Sequence, residues 1–308
     1  MPSPAISTAF GDLLDPRFAR IFDETKDREQ VGDMIPTLYG SGDDNGRADV
    51  RGSSVGAFGD FSQFTGTVDY DERSQGYDVT QTHVEFASGF QVERKLFDDD
   101  QYSIMDQRPA GLSQAAMRTR QKHAARPFNN AFSVDSMFYN HTEGLAWCSN
   151  SHTTTAAGVD TSAGFDNLVT TALSATAVAA ARIQFVGFRD DRGNFTLSKP
   201  DTLLLPPDLY EIGFEIVKSR GKVDSAENNA NVHEGAYKLL EWIYLTDANN
   251  WFMLDMGMMK RFLIWIDRVG LEFAFAEDLD TMIAKWRAYM RYSHRRDDWR
   301  FGLGAQVS

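Results

Sequence analysis

The chain has 308 residues, with 44 acidic side chains against 31 Lys and Arg, giving a formal net charge of −13 at pH 7. Its 42% hydrophobic and 12% aromatic content fills a core, which excludes global disorder, and no apolar run approaches the roughly 18 residues a membrane helix needs. A single cysteine, Cys148, closes no intramolecular disulfide, and so acidic a surface does not coat nucleic acid indiscriminately. The first residues, MPSPAISTAFGDLLDP, carry neither a basic nor an apolar region, so nothing marks the chain for secretion.

The first sixty residues are polar and acidic, broken by short apolar stretches at Phe18 to Phe22 and Met34 to Tyr39. Between Tyr39 and Phe61, Gly, Ser and Asp dominate, and that composition predicts a flexible arm unless something else holds it. From Phe61 the pattern turns to period two. Phe64, Gly66, Val68 and Tyr70 alternate with Thr65, Thr67 and Asp69, and a polar turn leads into Tyr77 to Thr80, then His83 to Phe86. The alternation predicts a long β-hairpin, which needs a neighbouring surface to be stable.

Residues 109–126 read as the clearest helix. Pro109 suits a first turn, Leu112, Ala116, Met117 and Ala124 make a thin apolar stripe, and Pro127 is expected to end it. Residues 140–164 read as a Ser/Thr/Gly loop, and 165–188 as a helix with Ser174 as a plausible N-cap. Thr202 to Leu205 reads as a buried strand running into Pro206-Pro207, with an amphipathic helix from about Asp208 to Ser219. A long polar loop, 219–235, precedes strands at 237–245, 251–254, 262–266 and 271–275. The stretch from Met282 to Tyr292 alternates as an extended strand, and the tail WRFGLGAQVS reads as a final edge strand.

The common phosphate-loop, dinucleotide and zinc motifs are absent from the sequence. Asp43-Asp44-Asn45-Gly46 lacks the ligand spacing of a calcium loop, and Asp98-Asp99-Asp100 reads as a solvated turn. Cys148 and His152, with Asp160 beyond, pose a nucleophile and base, and His141, Cys148 and His152 pose three metal ligands. Against both stands the loop composition, which offers no rigid support for positioned chemistry. The Trp and Met residues at 251–259 and 282–290 read as core or interface. No catalytic, cofactor or metal residue is therefore assigned.

The order of parts carries a resemblance. Trp147-Cys148-Ser149-Asn150-Ser151-His152 is followed by Gly164-Phe165-Asp166-Asn167-Leu168, and Phe188-Arg189-Asp190 through Asn194 leads to Leu203-Leu204-Leu205-Pro206-Pro207-Asp208-Leu209. Asn250-Trp251-Phe252-Met253-Leu254, Arg268 to Phe273, and Lys285-Trp286-Arg287-Ala288 through Gly302-Leu303-Gly304 complete the set. In this order the sequence resembles the major capsid proteins of tailed bacteriophages, and within them is most similar to the Mu-type major head subunits. Detail covers residues 147–305; the N-terminal half agrees in architecture only.

The resemblance implies an α+β, Hong Kong 97-type capsid fold. Its expected parts are an N-terminal arm and linker (1–54), an extended hairpin loop (55–90) and a peripheral domain (91–164) whose spine helix is 109–126. An axial domain (165–275) of mixed sheet and flanking helices follows, with a central loop at 219–235, and return strands (276–308) rejoin the peripheral domain. The implied function is a homo-oligomeric shell of hexamers and pentamers around double-stranded DNA, assembled in the host cytoplasm and found in the virion. Portal, a separate scaffold and possible cement or decoration proteins are the implied partners, with no cofactor and no membrane. Some relatives weld their shells through a loop lysine, but no lysine occurs here between Lys26 and Lys95, which predicts a non-covalent shell. Some carry a helical scaffolding extension; no such helical block is evident near Met1, so scaffolding is expected from another protein.

Arg118, Arg120, Lys122 and Arg126 on the predicted spine helix, and Arg287, Arg291, Arg295 and Arg296 near the C-terminus, are candidates to face DNA or neighbouring subunits. Salt bridges with the many acids are the competing assignment. The rival functions are an encapsulin-like cargo shell, a cysteine-dependent hydrolase using Cys148 and His152, and a head decoration or tail protein.

Overall fold

A computed structural model describes residues 8–43, 46–68, 70, 75–93, 104–221, 230–278 and 283–307. Residues 222–229 of the predicted loop at 219–235, the turn at 71–74, part of the Asp43–Gly46 cluster and the Asp98–Asp100 run lie outside them. The chain divides into two units. The first draws on the described residues of Met1–Thr37, His83–Ala124 and Ile266–Ser293; the second on those of Leu38–Thr82, Ala125–Trp265 and His294–Ser308.

In the first unit, helix α1 (Thr8–Gln30) places Phe18 and Phe22 one turn apart, on one face. Phe18 packs with Val92, Met105 and Trp286, its ring centroid 5.1 Å from the indole. Phe22 stacks on Phe273 at 4.6 Å beside Leu112 and Ala288. Met105 lies in a 3-10 turn (Ile104–Asp106), and the others come from strands β4 (Val84–Glu93), β10 (Leu263–Asp278) and β11 (Ile283–Arg296) and from helix α3 (Gln107–Asn129). Strands β10, β11 and β4 lie in that order, β11 antiparallel to β4 from Tyr292↔Val84 to Ile283↔Glu93. Along β11 the alternation puts Trp286, Ala288, Met290 and Tyr292 inside and Lys285 and Arg287 outside, as the period-two pattern predicts. On α3 the expected stripe of Leu112, Ala116, Met117 and Ala124 is buried, together with Ser113, whose Oγ donates to Phe22 O at 3.0 Å.

The second unit holds a five-stranded sheet in the order β6-β12-β9-β7-β8: Leu168–Val169, Gly302–Ala305, Trp251–Leu254, Thr202–Leu205 and Lys238–Glu241. Strands β7, β9 and β12 are buried along their whole length, which is why their sequences run apolar without alternation. Helix α4 (Ala175–Val186) starts at Ser174, whose side chain accepts Ala177 N–H at 3.1 Å, and buries Val178, Ala181 and Phe185. Helix α5 (Tyr210–Lys218) follows a 3-10 turn, and its Gly213 meets Leu205 and Leu239 so closely that a Cβ there would clash. A three-stranded sheet runs β2-β3-β5: Asp49–Val55, Gln75–Thr82 and Tyr139–His141. Short elements complete the unit. Helix α2 (Ile35–Leu38) enters it, strand β1 (Gly40–Ser41) pairs in parallel with Ile264 and Trp265 at the start of β10, and helix α6 (Met256–Phe262) is capped by Asp255 accepting from Met258 N at 3.0 Å.

Several sequence expectations change. The Gly/Ser/Asp stretch, expected to be flexible unless something else holds it, is held: it contains β2, paired from Asp49↔Thr82 to Val55↔Gln75, because β3 supplies the ladder that its composition cannot. The alternating residues 61–68 and Tyr70, expected as a hairpin strand, form no strand among the described residues; no ladder partner is at hand. The region near the N-terminus, expected to lack a helical block, contains α1 with Pro16 inside it. Helix α3 continues through Pro127 to Asn129, since a proline near a C-terminus forfeits only one backbone bond, and Asn130 N still reaches Arg126 O at 2.9 Å. The helix predicted from 165 begins at Ala175. The two strands predicted at 262–266 and 271–275 are one strand, β10. The C-terminal strand β12 is not an edge: it sits between β6 and β9.

Candidate functional site

The loop that poses a nucleophile and base is a buried knot in the second unit. Cys148 is buried, its sulfur against Gly304, and its N–H reaches Ala131 O at 2.7 Å. Burial pushes the thiol well above its ordinary range, so it stays protonated and unreactive. The ring of His152 stacks flat on Trp299, 4.3 Å between centroids. Its Nδ1 faces Glu143 Oε1 at 2.8 Å, and its Nε2 faces both Trp147 O and Asn167 Oδ1 at 3.1 Å. Both nitrogens are thereby engaged away from Cys148. Asp160 is exposed, its carboxylate held below the usual range by the Ser162 N–H, and makes no bond to His152.

Asn167 fixes this knot. Its Oδ1 accepts Ser149 N at 2.8 Å while its Nδ2 donates to Trp147 O at 3.0 Å and Gly302 O at 2.9 Å. Three backbone partners decide which end of the amide is which, and tie the loop to β12. Burial works against the Glu143 carboxylate, but the His152 hydrogen bond and charge, Arg296 and Thr153 N–H outweigh it and hold it below the usual range. Sequence reasoning missed Trp299 and the structural role of Asn167, whose partners lie far apart in the chain, and Glu143, which only the folded turn after β5 brings to His152. His141, Cys148 and His152 build no metal cage: among the described residues no group of three or more His, Cys, Asp or Glu is placed to hold an ion.

The basic candidates separate. Arg120 pairs with Asp267 through two bonds of 2.6 and 3.0 Å, and Arg126 with Asp135 through bonds of 2.6 and 2.9 Å. Arg291 lies 3.8 Å from Glu85, Arg295 lies 2.8 Å from Asp297, and Arg296 is buried. Arg118, Lys122 and Arg287 are exposed. Most of the candidates thus serve internal ion pairs or burial, the competing assignment.

The most unusual surface lies between β2 and β3. Phe61 is 99% and Tyr70 88% exposed, with Phe58, Phe64 and Val68 also outward, on a segment rooted in the paired strands. Large apolar side chains gathered on one exposed segment mark a contact surface rather than scattered surface apolarity. Ile183 and Val186 on α4, Phe195 and Leu197 beyond it, and Tyr210, Ile212 and Phe214 on α5 are further exposed apolar side chains. No helix among the described residues is long and apolar enough to cross a membrane.

Solved structures share this fold. The mature capsid of bacteriophage PhiM1 superposes at a TM-score of 0.61, with 8% identity, over 89% of this chain and 86% of that one. A structure from Microbacterium phage Oxtober96 gives 0.55, with 12% identity, over 90% and 91%. An encapsulin complex from Synechococcus elongatus gives 0.50, with 12% identity, over 89% and 87%. Among curated proteins none matches the sequence. The fold is the Hong Kong 97-type fold, and identities this low carry the fold alone. Membership comes from the sequence itself, since the profile of the phage capsid protein family matches residues 77–303. That match covers most of the chain, which belongs to the phage capsid protein family and is a major capsid protein, a shell-forming homo-oligomer of the virion.

Proposed function

We propose that this major capsid protein tiles an icosahedral shell as hexamers and pentamers around double-stranded DNA, without covalent cross-links, and that it is of the Mu-type head subunit kind. The carrying observation is the exposed aromatic segment between β2 and β3, whose Phe61 and Tyr70 have no core within their own unit to fill. Laid over an adjacent subunit, those rings bury their area, at about 25 cal/mol per Å² removed from water. Many such modest contacts around a closed shell add up to a stable particle. The Mu-type kinship is supported by the ordered passages from Trp147-Cys148-Ser149 to Gly302-Leu303-Gly304.

In this reading residues 1–54 contact neighbours along the inner face, 55–90 form the overlapping loop and 91–164 the peripheral domain. Residues 165–275 form the axial domain around the hexamer or pentamer centre, and 276–308 return to the peripheral domain. Helix α1 is anchored by Phe18 and Phe22 and so stays with the folded subunit, while scaffolding falls to a separate protein, alongside a portal and a cement or decoration protein. Assembly takes place in the host cytoplasm, and the protein performs no catalysis. Expressed alone and imaged by negative-stain electron microscopy beside size-exclusion chromatography, the chain should give shells, tubes or rings. A monomer that no co-expressed scaffold assembles would refute the reading. Purified virions should yield phage DNA, where a cargo protein in its place indicates the encapsulin-like alternative. Boiled particles should run as a single monomer band, since no loop lysine is present to weld subunits.

A further inference from the structure

Strand β5 ends on His141, whose backbone pairs with Val79 of β3. Its ring borders two hollows: one shared with Tyr139, Leu145 and Arg296, the other a cleft of about 660 Å³ lined by Gly52, Tyr77 and Arg295. Nδ1 accepts the Glu143 N–H at 3.3 Å, and the carbonyl of His141 accepts the Gly144 N–H at 3.0 Å, closing the turn after the strand. Thr142 ties the same turn to β3 through Asp78, N–H to carbonyl at 3.0 Å and Asp78 N–H to the hydroxyl at 2.8 Å.

The groups facing the ring come from every side. Tyr77 on β3 lies 5.8 Å away centroid to centroid, and the Glu143 carboxylate 4.0 Å. Arg296 on β11, only 3% exposed, is joined by Asp297 and Asp298 just beyond it. Burial first, then the Arg296 charge, push His141 down to about 4, against the opposing pull of the Glu143 charge, a ring hydrogen bond to the Asp297 backbone carbonyl and the Asp298 charge. The ring is neutral in the fold, and its Nδ1 is an acceptor.

We propose that His141 is a proton switch at the root of the segment joining β2 to β3. Taking a proton from solvent at Nδ1 removes the Glu143 hydrogen bond, sets a second cation beside buried Arg296 and releases β5 from β3. The sign follows from linkage. The folded value lies below the ordinary 6.5, so the opened form takes the proton first. The contribution to stability is complete above about pH 6.5 and is lost as pH falls toward 4. Glu143, also held below its usual range, adds a further loss at the acid end of that window.

The test is hydrogen exchange on the full chain at pH 7 and pH 5, corrected for intrinsic rates. Peptides covering 75–82 and 139–145 should lose at least tenfold in protection on acidification, while those covering 202–205 and 251–254 keep theirs. His141→Gln retains an acceptor and a donor but no titration, and should abolish the local loss. Equal loss in that variant, or no local loss in the wild type, overturns the proposal. Should the variant misfold, histidine-labelled NMR of the wild type decides, with the ring assigned through its contact with Tyr77. A midpoint near 4 supports the switch, and one near 6.5 overturns it. Neither readout depends on shell assembly, so failure here is distinct from failure of the proposed function.

Discussion

Asn167 holds the Cys148 loop to the C-terminal strand through one side chain that satisfies three backbone groups. Asn167→Leu keeps the volume but takes this partner from the Ser149 N–H and the Gly302 carbonyl in a buried site, and leaves Trp147 O only His152 Nε2. At about 1–3 kcal/mol for each unsatisfied group, the expected loss is on the order of 3 kcal/mol, read as a lower urea midpoint with an unchanged slope. Asn167→Asp should cost a similar amount, because a carboxylate cannot donate to Trp147 O and Gly302 O. Cys148 makes the opposite case: its burial and raised thiol predict that a thiol reagent labels the native protein far more slowly than the unfolded one. Labelling of native protein at the rate of a free thiol would reopen the hydrolase reading. The sequence pairs Cys148 with His152 by spacing alone, and space separates them. The true partner of His152, Glu143, lies nine residues away on the other side of Cys148, where only the folded turn after β5 brings it to the ring.

Among the elements, those whose own residues settle their conformation are legible from the chain. The helix at 107–129 declares itself through Pro109 and a run of good helix formers, and 251–254 through four apolar residues that only a doubly covered strand uses. Elements that borrow their order are not legible. Strand β2 reads as linker because Gly52, Ser53 and Ser54 have no strand preference, and pairing with β3 supplies what they lack. Helix α6 hides in the Met-rich run after β9, where its start depends on the Asp255 cap. Helix α1 reads as two scattered phenylalanines until the sheet of its unit gives them a surface. Phe22→Ala should therefore cost about 3–5 kcal/mol in unfolding free energy, the usual range for an aromatic removed from a packed core. Phe61→Asp is expected to shift stability by less than about 0.5 kcal/mol, because the ring is exposed, while abolishing particle formation in sedimentation. If Phe61→Asp assembles normally, the segment between β2 and β3 is not the main contact.

For the whole molecule, charge sets the terms of association. Subunits each carrying −13 repel, and the repulsion is screened over about 10 Å at 0.1 M salt but about 3 Å at 1 M. The concentration needed for assembly should accordingly fall between these salt levels, measured by light scattering. A rise would show instead that pairs of opposite charge across the contacts dominate over net repulsion. The placement of β12 has a further consequence, for synthesis. Its four buried residues, Gly302–Ala305, form an inner strand between β6 and β9, so the five-stranded sheet of the larger unit is incomplete until they leave the ribosome. Residues 302–305 must therefore be made before that sheet closes. A product truncated before Gly302 lacks an interior strand, and is expected to be degraded faster than the full chain in a pulse-chase.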